Sequence, residues 1–314
     1  MNQGMKIQWY PGHMFKAGKE IKNTMSEVDV VIEIVDARIP YSSQNPLLKQ
    51  LRAGKPCITV LNKSDLADSE ITLTWQHYLE REHTVKTLAI SCLNPEEVKQ
   101  IPALCLQAAP RKSTHLRPIH ALIMGIPNVG KSTIINILAG KTIAKTGNEP
   151  AVTRQQQVIK INPLFTLLDT PGMLWPNIEN KNSGYRLACT GAVKETAMES
   201  ADVALYALDY MLKHYPDRLQ ARYLFEHLPD EDIACLEAIG TQRGCLRKGG
   251  HVDLDKAARL FLTELRASTL GPITFEKPDM IAAEEQEVEN QRALKAARKA
   301  ERKKAVRARR RKNK

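Results

Sequence analysis

The sequence predicts an α/β protein: a doubly wound sheet first, then a smaller, mostly α-helical domain, and last a basic tail. Three observations carry this prediction. Short apolar runs alternate with helix-like stretches through the first half of the chain, and several runs end in polar turns, as strands of a doubly wound sheet do at their carboxyl ends. One such turn, Gly125-Ile-Pro-Asn-Val-Gly-Lys-Ser-Thr133, lies between the apolar run Ala121 to Met124 and a helical segment, Ile134 to Ala139. Past Trp175-Pro176 the strand signals fade and apolar residues recur at helical spacing. The expected divisions are 1–176 for the sheet domain, 177–280 for the helical domain and 281–314 for the tail.

Trp9-Tyr-Pro-Gly-His-Met14 reads as a short aromatic turn, and Ile21, Met25 and Val28 follow at helical spacing. Val30 to Val35 reads as a buried strand ending in Asp36-Ala-Arg38. Cys57 to Leu61 is a second, ending in Asn62-Lys-Ser-Asp65, and Val85 to Ile90 a third, ending in Ser91-Cys92. Pro95 to Gln107 reads as a helix before a basic connector, 110–118. After the glycine-rich turn and its helix comes a polar loop, Lys141 to Thr153. Gln157 to Ile161 and Leu164 to Leu168 then pair around Asn162-Pro163, the second ending in Asp169-Thr-Pro-Gly172. Helices are expected through Ala192–His214, Leu219–His227 and Leu254–Leu265, with Asp253 as the N-cap of the last.

The turn 125–133 satisfies G-x-x-x-x-G-K-[ST] in full, between a strand and a helix as a P-loop requires. Its glycines let backbone N–H groups of Asn128, Val129, Gly130, Lys131, Ser132 and Thr133 close around phosphates at the positive end of a helix. Lys131 reaches the β- and γ-phosphates and Ser132 ligates Mg²⁺. Asn62-Lys-Ser-Asp65 names the base. Asp65 can accept both the N1–H and the exocyclic amine of guanine, a pair that adenine does not present. The Asn62 amide can meet the purine's Hoogsteen edge, and the Lys63 stem can lie along the ring. Ser91-Cys92, ending the next strand, stands where a backbone amide would meet guanine O6.

Asp169-Thr-Pro-Gly172 ends a strand as the γ-phosphate-sensing element of a GTPase does, with Asp169 holding Mg²⁺ through water and the Gly172 amide on the γ-phosphate. Thr153 is the best candidate for the Mg²⁺-binding switch threonine, with Thr142 and Thr146 as competitors. GTP or GDP with Mg²⁺ is therefore the expected ligand. The order is unusual: Asn62-Lys-Ser-Asp65 precedes the P-loop by about sixty residues, whereas ordinary GTPases place it last. One site survives such a circular permutation because rejoined termini leave its geometry unchanged. The segment after Gly172 then runs straight into the helical domain.

The chain has 314 residues, enough for roughly two domains, with 43% hydrophobic and 26% charged residues, as soluble globular proteins have. Met1 to Tyr10 lacks an apolar h-region, so no signal peptide is expected, and Val28 to Val35 is too short to span a bilayer. Six cysteines without a C-x-x-C pair are expected as reduced thiols in a cytoplasmic protein. The net charge is +11, and residues 281–314 hold thirteen Lys/Arg against five Glu, leaving only +3 on residues 1–280. Such a tail, expected to be helical in part and disordered when free, points to a polyanionic partner. Arg243, Arg247, Lys248, Lys256 and Arg259 around Gly249-Gly250 form a second basic group, read either as a phosphate-binding surface or as a solvated face.

With these residues in view, the chain closely resembles the bacterial ribosome biogenesis GTPase A family of circularly permuted P-loop GTPases. The resemblance covers about residues 5–280, through Ile7 to Met14, Val35-Asp-Ala-Arg-Ile-Pro40, the motifs above, Leu174-Trp-Pro176, Ala238-Ile-Gly240 and Arg243-Gly-Cys-Leu246. It implies a GTPase that binds the maturing large ribosomal subunit and promotes a late assembly step, its helical domain on ribosomal RNA. A monomer is expected, with neither membrane nor DNA as partner. Met173 stands where many GTPases carry a water-positioning glutamine; the resemblance assigns that role to His13, whose plainer reading is a turn residue beside Trp9 and Tyr10. Arg38 and Arg154 are candidate arginine fingers, each read more simply as structural or RNA-facing. Asn128 resembles the asparagine that coordinates K⁺ in potassium-activated GTPases. Two departures stand out: Pro150-Ala-Val-Thr153 lacks the glycine usual before the switch threonine, and the stretch after Met280 has no counterpart in shorter members. The alternative is a nucleotide-gated RNA-binding chaperone in which hydrolysis is incidental.

Overall fold

The computed structural model describes residues 21–52, 54–109, 117–143, 157–175, 178–193 and 198–312. Six strands form one sheet: β1 Val30–Asp36, β2 Cys57–Asn62, β3 Val85–Ile90, β4 Ile119–Gly125, β5 Gln157–Asn162 and β6 Phe165–Asp169, in the order β3-β2-β1-β4-β6-β5. All neighbours are parallel except the edge pair β5–β6. β1, β2 and β4 are apolar almost throughout because helices cover both faces of a parallel sheet. β5 buries little beyond Ile159, as an edge strand can. Its turn to β6 is closed by the Leu164 N–H donating to Asn162 Oδ1 at 2.8 Å.

The register brings the strand ends into one row. Asp36 pairs with Asn62, Asn62 with Ile90, Ile34 with Gly125 and Ile123 with Asp169. The motifs at 36–38, 62–65, 91–92, 125–133 and 169–172 therefore leave the sheet along the same carboxyl edge, as the doubly wound reading requires. Sequence order is permuted, but spatial order is not.

Helices α1 Pro46–Arg52, α2 Ser69–Leu79, α3 Pro95–Val98, α4 Ile101–Ala108 and α5 Lys131–Ala139 flank the sheet. The single helix expected over Pro95 to Gln107 is broken at Lys99-Gln100. Pro102 lies in the first turn of α4, where its missing N–H costs nothing, but inside a continuous helix it would remove a hydrogen bond. The helical region comprises α6 Lys181–Cys189, α7 Ser200–His214, α8 Pro216–Tyr223, α9 Asp232–Gln242 and α10 Leu254–Arg266. α7 packs against α6, α9 and α10, burying Leu208 and Met211 with Leu236, Ile239, Phe261 and Leu262. Asp253 caps α10 by accepting from the Lys256 N–H at 3.1 Å.

Residues 1–276 form one compact unit and 277–314 a second. The helical region expected over 177–280 thus lies mostly inside the first unit. In the second, Ile281–Lys312 is a single helix, α11, where the sequence reading expects helix only in part. Its run of Ala, Glu, Gln, Lys and Arg has high helix propensity, and side chains four apart bond to each other, as between Gln286 and Asn290 at 3.2 Å.

Candidate nucleotide site

The P-loop leaves β4 at Gly125, where a Cβ would stand 2.7 Å from the Ile34 carbonyl oxygen; only glycine lets β1 and the loop approach so closely. Asn128 and Gly130 both have positive φ, 58° and 93°, which turns the backbone back on itself before α5. A Cβ on Gly130 would meet Asn62 Nδ2 at 2.2 Å, so the loop's second glycine is required by the neighbouring motif as well as by its own φ. Ser132 and Thr133 lie half-buried in the first turn of α5.

Lys131 is buried and pairs with the fully buried Asp169. Asp169 Oδ2 is buried with no hydrogen-bond partner among the described residues. Burial raises the Asp169 carboxyl's pKa, and the Lys131 ammonium offsets that only in part. A buried charge pair with an unsatisfied oxygen is costly in isolation. The same groups, with the Ser132 hydroxyl at a helix N-terminus, form a set of oxygen ligands and a compensating cation that fits a Mg²⁺–phosphate group. Gly172 packs against the P-loop, a Cβ there lying 3.3 Å from Pro127 Cα. The next residue is held on both sides: the Met173 N–H donates to Gly125 O at 3.1 Å, and the Met173 carbonyl accepts from Asn45 Nδ2 at 3.1 Å. The Met173 side chain is buried.

At the other end of the site Asn62 Nδ2 donates to the Val129 carbonyl at 2.7 Å, and Asn62 Oδ1 accepts from the Cys92 thiol at 3.3 Å. The amide expected at the purine's Hoogsteen edge thus also ties three motifs together. Lys63, at φ 61°, donates to the Asn128 carbonyl at 2.8 Å and to Asp36 Oδ2 at 2.9 Å. Asp65 is exposed on a 3-10 turn, Ser64–Leu66. The Ser91 N–H is engaged by Glu97 at 2.7 Å.

Asp36 is the residue whose role sequence reasoning missed. Burial alone would raise its pKa, but the Arg38 guanidinium and the Lys63 ammonium hold its carboxyl well below the usual carboxylate range. Arg38 is buried in a two-pronged pair with it, which spends the guanidinium that an arginine finger would need. The signal was the strand-end position of Asp36, level in register with Asn62. His13, Thr153, Thr146 and Arg154 lie outside the described residues, and Thr142 is exposed just past α5. Asn128 Nδ2 donates to Gly191 O at 2.9 Å, linking the P-loop to the turn after α6.

Among the basic residues of the helical region, Arg243 lies 3.5 Å from Glu264 and over the Tyr223 ring, and Arg247 pairs with Asp253 at 3.2 Å. Lys248, Lys256 and Arg259 are exposed around a tight hairpin closed by the Leu246–Val252 bridge. All six cysteines are free thiols, five of them buried. Among the described residues no helix is long and apolar enough to cross a membrane.

Residues 120–237 match a family described as 50S ribosome-binding GTPase. The chain is 46% identical over 292 residues to ribosome biogenesis GTPase A of Bacillus cereus, with 91% of this chain and 98% of that one covered. It is 34% identical over 301 residues to mitochondrial ribosome-associated GTPase 1 of Mus musculus, with coverages of 88% and 91%. The solved GDP-bound structure of TM YlqF superposes with a TM-score of 0.61 at 27% identity, covering 83% of this chain and 99% of that one.

Proposed function

The chain belongs to the ribosome biogenesis GTPase A family, and from that premise we propose that it hydrolyses GTP as a switch in a late step of large-subunit maturation. In this reading the helical region, 177–280, and the basic tail, 281–314, hold the protein on the subunit. The observation that carries the proposal is the single carboxyl edge where Lys131, Asp169, Gly172, Asn62 and Asp65 meet, although they come from three separate stretches of chain.

The roles follow from the chemistry of each group. Asp65, exposed at the rim, accepts two donors from guanine, with Asn62, Lys63 and the Ser91-Cys92 turn around the base. The amides of Asn128 to Thr133 surround the phosphates. Lys131 exchanges Asp169 for phosphate oxygens, which frees that carboxylate on the metal side. Ser132, Thr153 and Asp169 would hold Mg²⁺, Asp169 through water; when bound, the ion neutralises phosphate charge. The Gly172 amide faces the γ-phosphate. Met173 packs in the core and has no group that orients water, so that role falls to His13; Asn128 would hold K⁺, which when bound would add positive charge beside the phosphates. Phosphoryl transfer depends on positioning and charge stabilisation more than on proton abstraction. The buried Met173 also favours a second reading, a nucleotide-gated RNA-binding chaperone with incidental hydrolysis.

Co-sedimentation with purified large subunits tests the attachment. The full chain with a non-hydrolysable GTP analogue should bind, and loss rises steeply with salt because each phosphate contact releases counterions. Deleting 281–314 should weaken binding and flatten the salt dependence; unchanged binding and slope would contradict a role for the tail.

A further inference from the structure

The chain leaves the helical region along a four-residue strap, Ile273 to Glu276, every residue of which is buried. It runs between the loops that follow β1 and β2. The Ile273 N–H donates to Leu66 O at 2.9 Å, and the Phe275 N–H donates to Arg38 O at 2.8 Å. Thr274 Oγ1 accepts from the Asp68 N–H at 3.0 Å. The Thr274 backbone is in turn held from the helical side, where its N–H lies 3.2 Å from the Tyr215 hydroxyl and its carbonyl accepts from that hydroxyl at 3.3 Å. Glu276 closes the strap: its carboxylate accepts from the Ser42 N–H at 2.9 Å and the Ser42 hydroxyl at 2.6 Å, and lies 3.3 Å from Arg186 of α6. The Trp75 indole donates to the Glu276 carbonyl at 2.9 Å.

Two of these contacts, at Leu66 and Asp68, fall on the residues that directly follow Asp65. Between the left-handed Lys63 and the start of α2, the loop's own backbone bonds are two 3-10 contacts, Leu66 N–H to Lys63 O and Ala67 N–H to Ser64 O. Short 3-10 turns hold position poorly by themselves. A carboxylate that must accept two donors from one base edge needs a fixed backbone, since an error of about 1 Å already forfeits such contacts.

We propose that the strap is a specificity-determining element of the guanine site, with Thr274 as a positioning residue: by fixing residues 66–68 it sets where the Asp65 carboxylate stands. The inference rests on the assignment of Asp65 to guanine. Base recognition then depends on the seating of the helical region, and strain applied there acts on the base end of the nucleotide.

The test compares the affinity of the full-length protein for GDP with that for IDP, whose base lacks the exocyclic amine. Thr274→Val keeps the shape of the side chain and removes the acceptor; Thr274→Ala removes the same acceptor if valine does not fold, and Thr274→Ser keeps it. The valine or alanine variant should lower the GDP-to-IDP affinity ratio about three- to tenfold, and serine should restore it. A folded variant with an unchanged ratio, or one that weakens both nucleotides equally, would overturn the proposal. Asp65→Asn separates the two layers. If it leaves the preference for guanine over xanthine unchanged, the Asp65 assignment fails; if it shifts the preference while Thr274→Val does nothing, only the strap's role fails.

Discussion

At the scale of single residues, Asp36 and Glu33, three residues apart on β1, take opposite shifts. Asp36 has Arg38 and Lys63 and stays ionised. Glu33, in the middle of β1, has a backbone N–H from Asn45 at 3.3 Å and the charge of Arg52, which do not offset burial, so its pKa is pushed up to about 7. Between its ordinary value of 4.5 and about 7 the folded chain holds a proton that the unfolded chain lacks. The stability this contributes is complete below about pH 4.5 and is lost as pH rises to about 7, a change on the order of 3 kcal/mol. Glu33→Gln should therefore flatten the fall in melting temperature between pH 5 and pH 8. An undiminished fall would show that Glu33 is ionised in the native protein.

At the scale of elements, the hairpin closed by Leu246 and Val252 presents Lys248, and Lys256 and Arg259 project from the first turns of α10. Arg247, paired with Asp253, is partly neutralised. Alanine at each of the three exposed cations should weaken binding to purified ribosomal RNA similarly across sequences and lower the salt slope by about one per residue. Arg247→Ala should do less. Equal, negligible effects at all four positions would leave this surface a solvated face. The elements themselves were unevenly legible. β1, β2 and β4 are apolar almost throughout, and the P-loop and Asn62-Lys-Ser-Asp65 turns mark strand ends, so sheet and site could be read together. α2 buries only Thr72 and Trp75, and α6 buries Ser183, Gly184 and Arg186 alongside Leu187, Ala188 and Cys189, so neither shows in its sequence the apolar periodicity by which helices are found. Polar burial is a tertiary effect; Ser42, Arg186 and Glu276 acquire it only when the strap brings distant stretches together.

At the scale of the whole molecule, permutation decides how the site is wired. The segment after Gly172 leads into α6 instead of returning to the sheet, and Asn45 and Gly125 hold Met173 at its start. The P-loop reaches the same region directly through Asn128 and Gly191. The P-loop is thus tied to the helical region by Asn128, and the loops after β1 and β2 by the strap. That wiring suits a GTPase of ribosome biogenesis in which the helical region and the nucleotide site act together. With Met173 in the glutamine position, the proposed function requires the large subunit to complete the site. The most direct measurement is GTP turnover in K⁺, with and without purified large ribosomal subunits, for the wild type and His13→Ala. The account predicts strong acceleration of the wild type by subunits and little of the variant. If subunits accelerate neither protein, the claim of a ribosome-completed GTPase is contradicted.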